Sequence, residues 1–348
     1  MQQLPENRAL PIYKLIACFN NTSATYKFYW LLSIIQQVET EKSLISKKEL
    51  FATMIGNAWY TINYFQLSFG KQDLFQQRIE RVRSLEKIDI NEHRDIIIAK
   101  LVNSQNPGTL NELKRFNAQV PHWFLSPWFP NATKQQIYQY SRDLKNLCPY
   151  ELHNEFISIH ILWYNYFMEN AALIKDFCYW NLAMFLHQKN PHVPDVAGKL
   201  IKPPFRNNLT KQRRQFWDIV IEASGGSVQC IYKDCPLTIK NYAVEHFVPY
   251  SFVSHDLIWN LIPADPSFNS SKSDKLPPLN RYFDQFFNLQ KNAVTIIKDK
   301  QPNNKFLQDY LTIFPTFDNL DADFTKEKFR DRIQPLVTIA SNNGFEFL

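Results

Sequence analysis

The chain has 348 residues, 45% of them hydrophobic, which is enough to bury the cores of more than one folding unit. Its formal net charge of +6 is compatible with a polyanionic partner and equally with an ordinary, slightly basic protein. Gly occurs only 7 times and no glycine-rich phosphate-binding motif is present, which argues against a nucleotide-binding fold.

The cysteine content and the hydropathy pattern indicate the compartment. Five cysteines are widely scattered, and their odd number argues against a framework of disulfides. The N-terminus lacks a basic segment followed by an apolar run, so we expect no signal peptide. No stretch of about 18 uninterrupted apolar residues occurs, so no membrane partner is expected. These features predict a cytoplasmic protein.

The first part of the chain is predicted to be mostly helical. The apolar run at residues 26–38 favours a helix, and Ser46 to Glu49 resembles a capping box ahead of a second one. Further helices are predicted from Asp73 to Glu86, from Thr133 to Asn146 and from Asn170 to Gln188.

An aromatic segment, Trp123 to Pro130, interrupts this helical pattern. Its prolines forbid a continuous helix, and its aromatic side chains favour burial. We expect a loop that packs into the core. A platform on which nucleic-acid bases stack is the alternative.

A proline-rich stretch at residues 191–205 is the best candidate for a linker. It divides a helical, aromatic-rich region at residues 1–205 from a second domain at residues 206–348. A predicted helix at Leu209 to Ala223 opens the second domain, and its first half is basic. This face either contacts phosphate groups or is simply solvated. The basic residues of this part are Arg206, Lys211, Arg213 and Arg214.

The next segment predicts a β-hairpin followed by a short helix. Val244 to Val248 is rich in β-forming residues, residues 250–257 form a loop, and residues 258–262 form the second strand. A short helix opens at Pro266. Two further helices are predicted at Asn280 to Lys298 and at Thr325 to Ser341. The fold class is therefore mainly α with a small α+β core.

Side chains suited to phosphodiester hydrolysis cluster in this segment. Mg²⁺ prefers oxygen ligands and keeps several waters, so Glu245 and Asn269 are sufficient as protein ligands. His246 can take a proton from water, because an imidazole titrates near neutral pH. Adjacent side chains of a strand point to opposite faces, so Glu245 and His246 can share one site only where the backbone bends.

The ordered set Glu245-His246, Asn260 and Asn269-x-x-Lys272 resembles the HNH (ββα-metal) endonuclease family, over roughly residues 225–280. The resemblance implies that His246 is the general base, and that Glu245 and Asn269 bind the metal. It further implies that Asn260 braces the loop that bears the histidine, and that Lys272 approaches the phosphate. The run that starts at Asn269 looks most like the HNH domain of CRISPR RNA-guided nucleases.

The resemblance implies hydrolysis of DNA with Mg²⁺ (or Mn²⁺), giving 5′-phosphate and 3′-hydroxyl ends, in restriction or defence against phage.

The N-terminal part resembles the region that precedes the HNH part in a group of bacterial HNH-domain proteins. The residues predicted to bind nucleic acid are Arg206, Lys211, Arg213, Arg214 and Lys275.

Two departures from the family pattern leave alternatives open. Glu replaces the usual Asp at 245, which moves the carboxylate and motivates a catalytically weak or inactive scaffold that binds nucleic acid or a partner. Only the pair Cys230 and Cys235 remains of the zinc knuckles found in many relatives, so we expect no structural Zn²⁺. A nuclease that needs an activating protein partner, or a homo-oligomer, is a further alternative.

Overall fold

The computed structural model describes residues 4–20, 22–201, 206–316 and 318–348. The chain divides into two compact units, Met1–Pro191 with Val196–Pro204 and His192–Asp195 with Phe205–Leu348. The predicted N-terminus at residues 1–3 and residues 202–205 of the predicted linker lie outside the described residues. The predicted domain boundary at residue 205 therefore stays a prediction. The mainly α fold class with a small α+β core is confirmed.

The first unit is built on three long helices. The apolar α2 (Tyr26–Val38) packs against α3 (Lys47–Asn63) and α9 (Ile161–Lys189). Its side chains are therefore buried almost all round. Trp30 of α2 donates a hydrogen bond to the hydroxyl of Tyr150, which donates in turn to the carbonyl of Pro121. The helices of this unit are α1 (Ile12–Ala17), α2 (Tyr26–Val38), α3 (Lys47–Asn63), α4 (Phe75–Glu86), α5 (Arg94–Asn103), α6 (Pro107–Phe116), α7 (Val120–Phe124), α8 (Lys134–Tyr140), α9 (Ile161–Lys189) and α10 (Gly198–Ile201).

A small antiparallel sheet in the first unit was not predicted. Its strands β1 (Leu44–Ser46), β2 (Tyr150–Leu152) and β3 (Phe156–Ile159) stand in the order β1-β3-β2. Each strand has three or four residues, and β1 pairs with β3 across more than a hundred positions of the chain. Strands this short do not establish a clear period of two in the sequence.

Two predicted helices differ from the structure. The helix predicted from Thr133 to Asn146 ends at Tyr140, because Asp143 accepts a hydrogen bond from the amide of Lys145 and starts a separate 3₁₀ turn. The helix predicted to start at Asn170 begins at Ile161. Asn170 has non-helical dihedral angles inside α9. The helix is therefore interrupted at the residue where its start was predicted.

The aromatic segment at residues 123–130 packs mostly into the core, as predicted. Phe124, Trp128 and Phe129 are buried, and the first turn of the segment belongs to α7. Trp123 is the exception, with 51% of its surface exposed. The stacking alternative rests on that single side chain.

The second unit surrounds a small hairpin with helices. Its helices are α11 (Thr210–Gln212), continued by a π-helical turn (Arg213–Trp217) into α12 (Asp218–Ala223), then α13 (Tyr250–Val253), α14 (Pro266–Lys272), α15 (Leu279–Lys300), α16 (Leu320–Asp323) and α17 (Lys326–Asn342). Its strands are β4 (Val228–Gln229), β5 (Pro236–Leu237), β6 (Ala243–His246) and β7 (Leu261–Ala264). β4 pairs with β5, and β6 pairs with β7.

The hairpin β6–β7 and the helix α14 form the predicted ββα unit. The register places Glu245 opposite Ile262 and His246 opposite Leu261. The second strand begins later than predicted, because Ile258–Asn260 forms a 3₁₀ turn. The turn is held by Asp309, which accepts from the amide of Ile258 at 2.8 Å.

A buried glutamine on α15 fixes the hairpin from behind. The amide of Gln290 donates to the carbonyls of Leu261 at 2.7 Å and of Ile258 at 3.3 Å, and its oxygen accepts from the hydroxyl of Tyr310. The side chain is fully buried, so these groups have no access to water.

In the part of the chain that the structure describes, no helix combines the length and hydropathy needed to span a bilayer.

We predict that Gln290→Leu lowers the free energy of unfolding by about 3 kcal/mol, because three buried hydrogen bonds of the Gln290 side chain, to two carbonyls and from one hydroxyl, are lost. Urea denaturation followed by circular dichroism measures the loss. Gln285→Leu on the exposed face of the same helix is the control, with an expected change within about 0.5 kcal/mol. Equal midpoints for the two variants would contradict the role of Gln290.

Candidate active site

The loop that follows β6 is held by an asparagine from the other arm of the hairpin. The side chain of Asn260 accepts from the amide of Val248 and donates to its carbonyl, both at 2.8 Å. The carbonyl of Asn260 also accepts from the amide of Phe247 at 2.7 Å. Asn260 is fully buried, so this clamp is shielded from water and fixes the backbone directly after His246.

A pocket of about 300 Å³ opens beside the end of β6. Glu245 and His246 both line it, although they are neighbours, because the strand ends at His246 and the chain turns into α13. Asn269 of α14 lines the same pocket. The other residues of the lining include Arg206, Leu209, Arg213, Tyr250 and Asp256. The structure therefore brings the predicted base and both predicted metal ligands together, with two of the predicted nucleic-acid-binding arginines.

A buried ion pair joins Glu245 to Lys272. The ammonium of Lys272 donates to Oε1 of Glu245 at 2.6 Å and to the carbonyl of His246 at 2.8 Å. The lysine is fully buried, and the carboxylate is nearly so. The pair thus connects α14 to the end of β6 through a charge-assisted hydrogen bond in a low-dielectric environment.

This ion pair corrects one expectation. Lys272 was predicted to approach a phosphate group, but its side chain has no exposed surface and points to Glu245 instead. The physical reason is the carboxylate itself, because a charge buried at this depth requires a counter-charge nearby. Lys272 is a structural partner of the metal-ligand candidate in this structure.

His246 has a carboxylate partner that the sequence did not suggest. Its Nε2 lies 3.0 Å from Oδ1 of Asp256. Asp256 lies ten positions downstream in an irregular loop, where no periodicity links it to the histidine. A Tyr250 ring packs edge-on against the imidazole, with 5.5 Å between centroids. The histidine is therefore fixed on two sides.

Asn269 is held in place through the cap of its helix. The carboxylate of Asp265 accepts from the amide of Phe268 at 3.0 Å and from Lys233 at 2.6 Å. The hydrogen bond from Lys233 is the main reason that the pKa of Asp265 lies well below its usual range, so the cap stays ionised. The side chain of Asn269 lines the pocket and makes no hydrogen bond to any residue that the structure describes.

Two of the predicted phosphate-binding cations line the pocket. Arg206 forms an ion pair with Asp274 at 2.8 Å. Arg213 donates to the carbonyl of Ile239 at 2.9 Å, and its guanidinium lies 4.4 Å from the centre of the Tyr242 ring. These contacts orient both groups beside the pocket.

The remaining predicted cations do not line this pocket. Lys211, Arg214 and Lys275 are exposed on the surface of the second unit. Their predicted role in binding nucleic acid stays a prediction.

The two cysteines ahead of the hairpin lie across a turn from each other. The amide of Cys230 donates to the carbonyl of Cys235 at 3.0 Å, next to the β4–β5 pair. Burial raises the pKa of the Cys235 thiol above its ordinary value. The expectation that this pair binds no structural Zn²⁺ stays a prediction.

The donor set of the pocket fits a hard divalent cation. Glu245 and Asn269 supply a carboxylate and an amide oxygen, which Mg²⁺ and Mn²⁺ prefer over nitrogen or sulfur. Across the described ranges, no group of three or more His, Cys, Asp or Glu side chains has the geometry of a metal site. A Mg²⁺ site with one carboxylate and one amide, completed by water molecules, needs no such group.

Residues 230–278 match the family model HNH_4, described as HNH endonuclease. The match includes the β6–β7 hairpin and α14, and the chain therefore contains an HNH domain. A search of the curated proteins found no match, and neither did a search of the solved structures.

We predict that Lys272→Met lowers the free energy of unfolding by about 3–5 kcal/mol, because it leaves Glu245 buried without a counter-charge. The double variant Glu245→Gln with Lys272→Met should recover most of that loss, since it buries no net charge. Urea denaturation of the single and double variants measures the coupling, with Lys275→Met as the exposed control. Additive losses in the double variant would contradict the pairing.

Proposed function

We propose that the chain, which contains an HNH endonuclease domain at residues 230–278, is a divalent-metal-dependent endonuclease that hydrolyses DNA phosphodiester bonds. One observation carries the proposal. Glu245, His246 and Asn269 line a single pocket, next to two arginines. A base, two oxygen ligands and cationic groups are what the hydrolysis of a phosphodiester requires of a protein.

Glu245 and Asn269 would hold Mg²⁺ or Mn²⁺, through a carboxylate oxygen and the amide oxygen. When bound, the cation supplies charge stabilisation at the scissile phosphate and the leaving oxygen. Glu245 can serve as a ligand because Lys272 engages its Oε1, and the described contacts leave Oε2 for a second partner. Lys272 thus orients the carboxylate that faces the pocket.

His246 would remove the proton from the attacking water. The water oxygen bonds to phosphorus, and the bond from phosphorus to the 3′ oxygen breaks. One proton of the water passes to the imidazole, and the leaving 3′ oxygen takes a proton from solvent. The products are a 5′-phosphate and a 3′-hydroxyl. Asn260 supports this step by fixing the backbone at Val248, directly after the histidine.

Arg206 and Arg213 would hold the phosphate backbone at the mouth of the pocket. The exposed Lys211, Arg214 and Lys275 extend the positive surface on which DNA would lie. A role in restriction or in defence against phage is part of this proposal. A nuclease that is silent until a protein partner or self-assembly activates it is the alternative, and it would cleave only in the assembled complex.

A second candidate function is supported by the ion pair of Glu245 with Lys272. The lysine already neutralises the carboxylate, so the pocket can exist without a cation. In that case the domain is a catalytically weak or inactive module that binds nucleic acid or a partner. Metal binding and cleavage separate the two candidates.

We predict that the purified protein nicks supercoiled plasmid in Mg²⁺ or Mn²⁺, and that His246→Ala lowers the rate by about 10²- to 10⁴-fold. EDTA should abolish the nicking. His187→Ala, an exposed histidine of α9, is the matched control and should cleave like the wild type. Equal nicking by His246→Ala and the wild type would remove this histidine from the mechanism.

We predict that Asn269→Ala weakens Mn²⁺ binding about tenfold or more with little change in stability, because the side chain has no hydrogen bond in the described structure to lose. Isothermal titration calorimetry measures the affinity, and thermal unfolding measures the stability. Ser270→Ala on the same helix is the control. A wild type that binds no Mn²⁺ and cleaves neither DNA nor RNA would favour the binding module.

A further inference from the structure

The contact between His246 and Asp256 has a chemical consequence for the pocket. The distance from Nε2 to Oδ1 is 3.0 Å, and both side chains are mostly shielded from solvent. An ionised carboxylate can only accept hydrogen bonds, so Nε2 must carry the proton of this contact. In a neutral imidazole, the lone pair then resides on Nδ1.

The position of Asp256 does not depend on the histidine. Its carbonyl accepts from the side-chain amide of Gln212 at 3.4 Å. Two residues further on, the amide of Ile258 is held by Asp309 at 2.8 Å, and Ile258 begins the turn that carries Asn260. The loop is therefore anchored at Asp256 and two residues after it by other parts of the second unit.

We propose that Asp256 is a positioning residue, which holds His246 in the tautomer with the proton on Nε2 and leaves Nδ1 as the base. This inference rests on the proposed function. It adds a residue that neither the family resemblance nor the sequence pattern indicated. Carboxylates that orient a histidine in this way commonly change activity by about 10- to 100-fold when they are removed.

The competing arrangement is an ion pair with a doubly protonated imidazole. An imidazolium has no lone pair and cannot accept a proton from water. The same carboxylate would then block the proposed reaction instead of supporting it. The protonation of the two ring nitrogens distinguishes these arrangements directly, and cleavage is not needed for that measurement.

The first arm of the test observes the tautomer. The full-length protein is labelled with ¹⁵N-histidine, and two-bond correlations identify the nitrogen that carries the proton, with His246→Gln to assign the signals. We expect a neutral ring with the proton on Nε2 at pH 8. In Asp256→Ala, where nothing replaces the carboxylate as acceptor, we expect the Nε2–H signal to shift and its proton to exchange faster with solvent. An imidazolium, an Nδ1-protonated ring in the wild type, or an Nε2–H signal that is unchanged in Asp256→Ala would overturn the proposal.

The second arm observes catalysis on a defined duplex oligonucleotide with Mn²⁺. We expect Asp256→Asn and Asp256→Ala to lower kcat about 10- to 100-fold with little change in KM, and Asp256→Glu to recover part of the loss. Asp284→Asn removes an exposed carboxylate of α15, paired with Lys326, and should leave both constants unchanged. Wild-type kcat in Asp256→Ala would overturn the proposal.

The two arms separate this inference from the proposed function. If the wild type cleaves no substrate, the proposed function fails, and the first arm still decides whether Asp256 sets the tautomer. If the wild type cleaves and the Asp256 variants match it, the function stands and the positioning role is refuted.

Discussion

The ion pair between Lys272 and Glu245 holds the candidate site together. A single buried ammonium donates to the carboxylate of Glu245 and to the backbone of His246, and so ties the last turn of α14 to the end of β6. Both elements carry a proposed metal ligand. Because both charges of the pair are buried, loss of either partner would leave the other uncompensated. The pocket exists in this form because that pair is satisfied.

The rest of the second unit fixes the backbone around that pair. Asn260 clamps Val248 from across the hairpin. Gln290 of α15 donates hydrogen bonds to the carbonyls of Ile258 and Leu261. The ring of Phe247 stacks on Phe286, with 3.8 Å between centroids. The residue between His246 and the clamped Val248 therefore also packs on α15. A side chain whose backbone is fixed by several buried contacts needs little reorganisation to react.

The sequence predicted the local elements of this site better than its tertiary contacts. The β-forming residues of the segment predicted the hairpin, and Pro266 predicted the start of the short helix. The structure groups Glu245, His246 and Asn269 in one pocket. Their chemical roles stay proposals. The burial of Lys272 and the approach of Asp256 to His246 depend on how a loop and a helix pack, and neither contact has a periodic signal. The β1-β3-β2 sheet escaped prediction for the same reason, since its short strands lie far apart in sequence.

The central claim is that Glu245 and Asn269 bind one divalent cation beside His246. The most direct measurement is an anomalous difference map from crystals of the full chain grown with Mn²⁺. The account predicts one strong peak in the pocket, in contact with a carboxylate oxygen of Glu245 and the amide oxygen of Asn269. A pocket without a peak in a preparation that cleaves DNA with Mn²⁺, or a peak bound by other residues, would contradict it.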